Sequence, residues 1–305
     1  NFTFVQAALD RLEAERCTGL SGVPSTFAIL LNRSSFAQRP LEHLRYVTQA
    51  GGAMSPALTR RLMAALPDKR IFVMYGATEA AGRLAYLPPE ELASELGSIG
   101  RAIDNVELSL RDASGREVGV GEEGEIVARG SCIMRGYWND AEATARVLDE
   151  HGYHTGDLGR RNERGFITVV GRTREMLKCG GHRVSPKEIE NALLEHEEVH
   201  EVAVLGVPDE ILGESIRAHV VPRGDGLVLE QLRAFLAARL PPHKIPSAFV
   251  LERALPKNGA GKVLTTPRGS VKAGEGEVAT NGYTGALTPR LRRRIIPVAS
   301  HIIAT

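Results

Sequence analysis

The chain has 305 residues, 43% of them hydrophobic, which is apolar material for about two domain cores. Its 38 Lys and Arg against 37 Asp and Glu leave a formal charge of +1, so the strong single-sign field of a dedicated nucleic-acid binder is excluded. Three scattered cysteines, Cys17, Cys132 and Cys179, make neither a disulfide framework nor a zinc site and point to a reducing, cytoplasmic setting.

Along the chain, Thr3 and Gln6 read as a capping box, with Phe4, Ala8 and Leu12 at helical spacing behind it. The sequence thus opens inside a helix pattern, so an upstream segment is expected. No apolar run approaches the roughly 20 residues of a membrane span, and residues 1–16 lack a signal-peptide pattern. Short apolar runs then alternate with helices: residues 18–23, a helix from Pro24 to near Leu31, a strand over 44–49, a helix capped by Ser55 with Pro56 at its first position, and a strand over 71–75. That alternation predicts crossovers and a parallel sheet. Beyond Gly97 the runs 106–112 and 124–130, joined through the turn DASGRE, read as an antiparallel hairpin in a small β subdomain, and 166–172 as another strand.

The texture changes again near Gly171–Arg174, the expected domain boundary. Ser185, Pro186 and Glu188 open a helix with Ile189, Ala192 and Leu193 as its buried stripe; strands follow at 202–207 and 216–222, a helix at 229–240 and a strand at 248–252. Residues 270–305 have neither period and carry the block RLRRRII, a pattern that predicts a solvated, disordered tail. The fold class is therefore α/β: a parallel-sheet large domain with a small β subdomain over 1–170, then a smaller α+β domain over 171–269.

Five stretches carry chemistry. Tyr75, Gly76, Thr78 and Glu79 of YGATE follow a strand at the end where open α/β sheets place ligands: an aromatic face, a glycine for close approach, and a Thr-Glu pair suited to a phosphate oxygen and Mg²⁺. Gly51, Gly52 and Ala53 follow another strand in the same layer. In HTGDLGR, Asp157 offers two acceptor oxygens and no donor, which suits the two hydroxyls of a ribose. GRTREMLKCGGHRVSPKEIE (171–190) and LPKNGAGKV (255–263) complete the set, the latter putting Lys262 on a glycine-rich loop. Taken singly, each has an ordinary explanation as a turn or surface loop.

Together, in this order and at these intervals, and with GEIVARGSCIMRGYW and LPPHKIP, they resemble the adenylate-forming superfamily of acyl-CoA synthetases, luciferases and peptide-synthetase adenylation domains, over residues from about 15 to 265. GGHRVSPKEIE is most similar to acyl-CoA ligases. The resemblance implies ATP-dependent activation of a carboxylic acid to acyl-AMP, then transfer to coenzyme A. It implies that Gly51–Ala53 and Tyr75 frame the adenine, Thr78 touches the α-phosphate, Glu79 binds Mg²⁺, Asp157 binds ribose and Arg172 contacts the nucleotide. Lys262 would meet the carboxylate and α-phosphate. Arg174 would be the hinge where relatives usually have Asp or Lys, and the Cys179–His182 turn, with Gly180 and Gly181, would line the coenzyme A path, leaving Cys179 a bystander.

The family's Ser/Thr/Gly-rich phosphate loop does not occur in these residues and is expected upstream, so the stretch alone is expected to lack adenylation activity. The acyl-pocket wall is read in residues 23–31, Thr48-Gln49-Ala50 and Ala77, which predicts an apolar acid of medium or long chain. Two alternatives stay open: an adenylation unit loading a carrier protein, and an inactive nucleotide-binding remnant. Nothing in the sequence fixes the oligomeric state.

Overall fold

A computed structural model describes residues 5–209, 212–224 and 226–255. In chain order its elements are α1 (Val5–Ala14), β1 (Gly19–Gly22), α2 (Pro24–Arg33), β2 (Tyr46–Gln49), α3 (Pro56–Ala65), β3 (Arg70–Tyr75), β4 (Ala85–Leu87), β5 (Ser98–Ala102), β6 (Val106–Arg111) and β7 (Glu123–Gly130). There follow α4 (Ala141–Ala145), β8 (Leu148–Asp149), β9 (Gly152–Arg161), β10 (Ile167–Arg172), β11 (Leu177–Cys179), β12 (His182–Val184), α5 (Pro186–Leu193), β13 (Val199–Asp209), β14 (Gly213–Pro222), α6 (Leu229–Ala237) and β15 (Ala248–Leu251).

Strands β1, β2 and β3 are parallel, with α2 and α3 as the connections. Phe27 and Leu30 of α2 and Leu62 of α3 are buried with Val47, Ile71 and Val73 in one cluster, so the apolar stripes of the helices close one face of these strands. Ser55 caps α3 by accepting from the Leu58 N–H, with Pro56 in the first turn. At Tyr75 the direction reverses. β4 pairs antiparallel with β3, and the sheet continues through β5, β10, β9, β7 and β6 to ten strands, β8 pairing with β9. The small β subdomain is thus continuous with the parallel strands in one sheet, its own core gathered from Leu108, Leu110, Ile126, Tyr153 and Ile167.

A second sheet of five strands, ordered β12-β11-β14-β13 with β15 beside β14, follows a single turn of 3₁₀ helix at Thr173–Glu175. Its core of Val184, Ile189, Leu193, Val204, Ile216, Leu232 and Leu236 shares no member with the first. Ser185 caps α5 by accepting from the Glu188 N–H and donates its hydroxyl to the Val170 carbonyl, tying this sheet to the end of β10. Arg60 of α3 adds an ion pair to Glu195 at 3.1 Å.

Some expectations shift. The Thr3 cap lies outside the described residues, and Gln6 donates to the Ser35 hydroxyl at 2.7 Å, a tertiary contact. The strand read from 44 begins at Tyr46, because Leu44 is turned into the core. β4 and β5 have no counterpart in the sequence reading. Three and five residues long, they show too little of a period-2 pattern to stand out. The α6 pattern read to 240 ends at Ala237. Residues 256–305, with Lys262 and the tail, lie outside the described residues.

Candidate active site

Three of the motif residues converge. Asp157 is 8% exposed and holds two partners: the Tyr75 hydroxyl donates to Oδ2 at 2.6 Å, and Arg172 Nε donates to Oδ1 at 2.8 Å. Tyr75 is the last residue of β3, Asp157 lies on β9, and Arg172 ends β10 directly across from Asp157 in the strand register. Burial, and then the Asp157 charge, push the Tyr75 phenol far above its usual range, so it remains a proton donor. The same carboxylate raises the Arg172 guanidinium further.

The sequence reading gave Asp157 two free acceptor oxygens beside a turn. The structure instead places it inside a strand, with both oxygens already engaged. An ionised carboxylate has about four lone-pair sites, so two remain for a ligand, and the two donors fix their direction.

A bulge puts Asp157 in that position. Against β7, Glu125 pairs with Leu158 and Val127 with His154, so three residues of β9 face Ile126 alone. Gly156 adopts φ +73 within the bulge, a left-handed conformation that glycine takes without strain. Thr155 Oγ1 donates to the Ile126 carbonyl at 2.8 Å and accepts from the Asp157 N–H at 3.1 Å. Small hydroxyl, glycine and carboxylate in HTGD are therefore the parts of one bulge.

At the other side, Gly76 is required by close packing: a Cβ there would lie 2.3 Å from the Gly82 carbonyl oxygen. Thr78 is exposed at the start of the Thr78–Ala80 turn. Glu79 Oε1 accepts from the Tyr137 hydroxyl at 2.8 Å, which raises the Tyr137 phenol. Tyr153, 5% exposed, couples electrostatically to both Glu79 and Asp157, and burial drives its phenol well up. The sequence reading missed Tyr137 and Tyr153. The signal for Tyr153 was present, since it shares strand parity with Asp157 on β9.

Tyr137 lines a groove of about 710 Å³ together with Trp138, Arg146 and the exposed Arg174, so the expected hinge residue stands beside the partner of Glu79. No group of three His, Cys, Asp or Glu among the described residues forms a metal cage. A single carboxylate such as Glu79 is compatible with the way Mg²⁺ is commonly held, through one or two carboxylates with phosphate oxygens and water completing its shell.

Gly51, Gly52 and Ala53 form an exposed loop after β2, where the Gly52 carbonyl accepts from Gln49 Nε2 at 2.7 Å. The acyl-wall reading needs correcting at one point. Phe27 and Leu30 are fully buried in the core cluster and have no exposed face for a wall, while Gln49, also with no exposure, leaves its Oε1 without a partner. Gly180 and Gly181, at φ +56 and +80, make the two-residue turn between β11 and β12, whose register pairs Cys179 with His182. Among the described residues no hydrogen bond joins this turn to the Asp157 cluster; the Gly180 N–H goes to Leu212 at 3.0 Å. LPPHKIP supports it: the His243 ring stacks on His182 at 4.3 Å, and Lys244 pairs with Glu188 at 2.6 Å. Burial raises the Cys179 thiol, with Asp209 and Glu214 acting in the same direction, which suits a bystander.

Residues 2–138 match the model of the AMP-binding enzymes, and residues 188–262 that of their C-terminal domain. The chain is 35% identical over 259 residues to the indoleacetate–CoA ligase of Aromatoleum aromaticum, covering 84% of this chain and 50% of that protein. It is 33% identical over 247 residues to a long-chain-fatty-acid–CoA ligase of Escherichia coli O157:H7, covering 81% and 44%. Among solved structures, the amide bond synthetase McbA from Marinactinospora thermotolerans superposes with a TM-score of 0.77 at 31% identity, covering 84% of this chain and 52% of that one. The o-succinylbenzoate CoA synthetase of Bacillus subtilis, in complex with its acyl-adenylate intermediate, gives 0.74 at 28%, covering 88% and 54%. The chain spans about half the length of these proteins.

Proposed function

The chain belongs to the AMP-binding enzymes of the adenylate-forming superfamily, acyl-CoA synthetase-like, and on that premise we propose that it serves the ATP-dependent conversion of a carboxylic acid to acyl-AMP and then acyl-CoA. The observation that carries the reading is the convergence of Tyr75 and Arg172 on the buried Asp157 at the carboxyl end of a parallel strand.

In the first half-reaction an oxygen of the acid attacks the α-phosphorus of ATP, and pyrophosphate leaves. Asp157 accepts from the ribose hydroxyls along the lone pairs that Tyr75 and Arg172 leave free. The Tyr75 ring and the Gly51–Ala53 backbone frame the adenine, while the exposed Thr78 hydroxyl reaches the α-phosphate. Bound at Glu79, Mg²⁺ would neutralise charge on the phosphate oxygens. Lys262 brings a cation to the attacked phosphate. In the second half-reaction the thiol of coenzyme A attacks the acyl carbon and AMP leaves. Arg174 is the hinge on which the five-stranded sheet turns to present Gly180 and Gly181.

The acid is apolar. Relatives named for indoleacetate and for long-chain fatty acids support that class, and Gln49 supplies one buried acceptor at its wall. The three unpaired cysteines suit a cytoplasmic setting, and no described helix is long and apolar enough to cross a membrane. Pyrophosphate release by the complete polypeptide, measured against a panel of aliphatic and aromatic carboxylic acids and followed by coenzyme A thioester formation, tests the reading. Acid-dependent release is expected, and no acid-dependent release with any member would overturn it.

A further inference from the structure

The bulge that carries Asp157 interrupts the β7–β9 ladder, and the Gly156 N–H finds its acceptor in a side chain. Glu125 Oε1 takes it at 3.0 Å. The other oxygen of Glu125 lies 2.9 Å from His154 Nδ1. On its far side, His154 Nε2 stands 3.1 Å from Asp149 Oδ2, at ion-pair distance but without hydrogen-bond alignment. Asp149 is itself held, its Oδ1 accepting from the N–H groups of His151 and Gly152 at 2.8 and 3.2 Å. A row of groups, carboxylate, imidazole, carboxylate, thus crosses β8, β9 and β7 and ends on the residue before Asp157. The His154 and Glu125 side chains are 23% and 28% exposed, sheltered enough for the pairing to hold against water.

We infer that His154 is a positioning residue for the nucleotide site: it holds Glu125 against the Gly156 N–H and so fixes the direction in which Asp157 leaves the strand. The inference rests on the reading of Asp157 as the ribose acceptor. A neutral bulge would need only a backbone or hydroxyl acceptor at Gly156. Here a charged acceptor is used, and the His154 ring 2.9 Å from its other oxygen holds that acceptor in one orientation.

The charge on His154 gives the device a pH dependence. Burial opposes the imidazolium, but the Glu125 carboxylate and then Asp149 outweigh it and raise His154 above its ordinary value. Glu125 from β7 and Asp149 from β8 are the charged groups that face the ring. For a group raised in the folded state, the contribution is complete below the unfolded value and is lost as pH rises through the folded value. Nucleotide affinity should therefore fall on the alkaline side.

Calorimetric titration of AMP into the full chain tests this, since AMP needs only the base, ribose and α-phosphate positions. Glu125→Gln and His154→Ala are expected to weaken AMP about tenfold. They should add little to the loss caused by Asp157→Ala, because all three act on one contact. Wild-type affinity should drop as pH rises through a value above the ordinary histidine range, and His154→Gln, which keeps a donor toward Glu125 but cannot titrate, should recover part of the affinity and flatten the profile. If Asp157→Ala weakens AMP while the His154 and Glu125 variants do not, the positioning role is wrong and the ribose reading stands. If Asp157→Ala itself changes nothing, the ribose reading fails and takes this inference with it. An alkaline drop that persists unchanged in His154→Gln, with only thermal stability lowered, would reduce His154 to a structural residue.

Discussion

The segment Thr155–Asp157 on β9 and the turn Cys179–His182 between β11 and β12 are both built on left-handed glycines, and they are held in opposite ways. In the first, the glycine N–H, the threonine hydroxyl and both carboxylate oxygens have partners, and the carboxylate is buried. In the second, Gly181 is exposed, and the Gly180 N–H to Leu212 and the stack of His182 on His243 tie the turn to its neighbours. A group proposed to present the same acceptor to ATP and to AMP gains from being fixed before the ligand arrives, since no reorganisation is then needed. A turn proposed to enter the site only for the second half-reaction gains from having few attachments. The two cores, with no shared residue, make the separation mechanically possible.

The largest effects should show whether the separation is real. Phe27→Ala, at a site with no exposure in the first core, is expected to cost about 3–5 kcal/mol, and Leu232→Ala in the second about 2–5 kcal/mol. In differential scanning calorimetry each should lower a different transition. A single transition that both variants shift alike would break the comparison.

Next in size, Lys262→Ala in the complete polypeptide should slow ATP–pyrophosphate exchange by about 10²–10³, or about 2.7–4 kcal/mol, while thioester formation from supplied acyl-AMP is much less affected. Equal losses in both half-reactions would place Lys262 in neither role. Tyr75→Phe removes one donor from the buried carboxylate and should weaken AMP binding by about 1–3 kcal/mol in an equilibrium titration. An unchanged affinity would mean that the Arg172 contact alone orients Asp157.

The smallest effects discriminate most finely. Gly156→Ala and Gly181→Ala both place a Cβ in open space at positive φ, so each carries a similar strain of about 1 kcal/mol. The first is expected to raise KM for ATP, and the second to slow only thioester formation. Matching kinetic signatures would erase the distinction between the turns.

Much of this was legible in the sequence. Ser55-Pro56 and Ser185-Pro186 marked α3 and α5 because caps are local, and Tyr75, Asp157 and Arg172 were named from their motifs. What stayed hidden depends on contacts between distant segments. That Asp157 already has two partners requires β3 and β10 to meet at β9, which no spacing reveals. The role of Glu125 follows from a bulge, which shows in strand register and not in composition. Gln49 and Phe27 were read as pocket wall because their segments are small or apolar; burial assigns Phe27 to the core and leaves Gln49 with an orphaned oxygen.

The central claim is that Asp157, oriented by Tyr75 and Arg172, accepts the ribose hydroxyls, and the most direct measurement compares AMP with 2′,3′-dideoxy-AMP in equilibrium titrations of the wild type and Asp157→Ala. The wild type should prefer AMP by the equivalent of about 1.5–3 kcal/mol, the range of a hydrogen bond to a charged group, and Asp157→Ala should bind the two nearly alike. Discrimination that survives the substitution would contradict the account and leave Asp157 as a residue of the bulge alone.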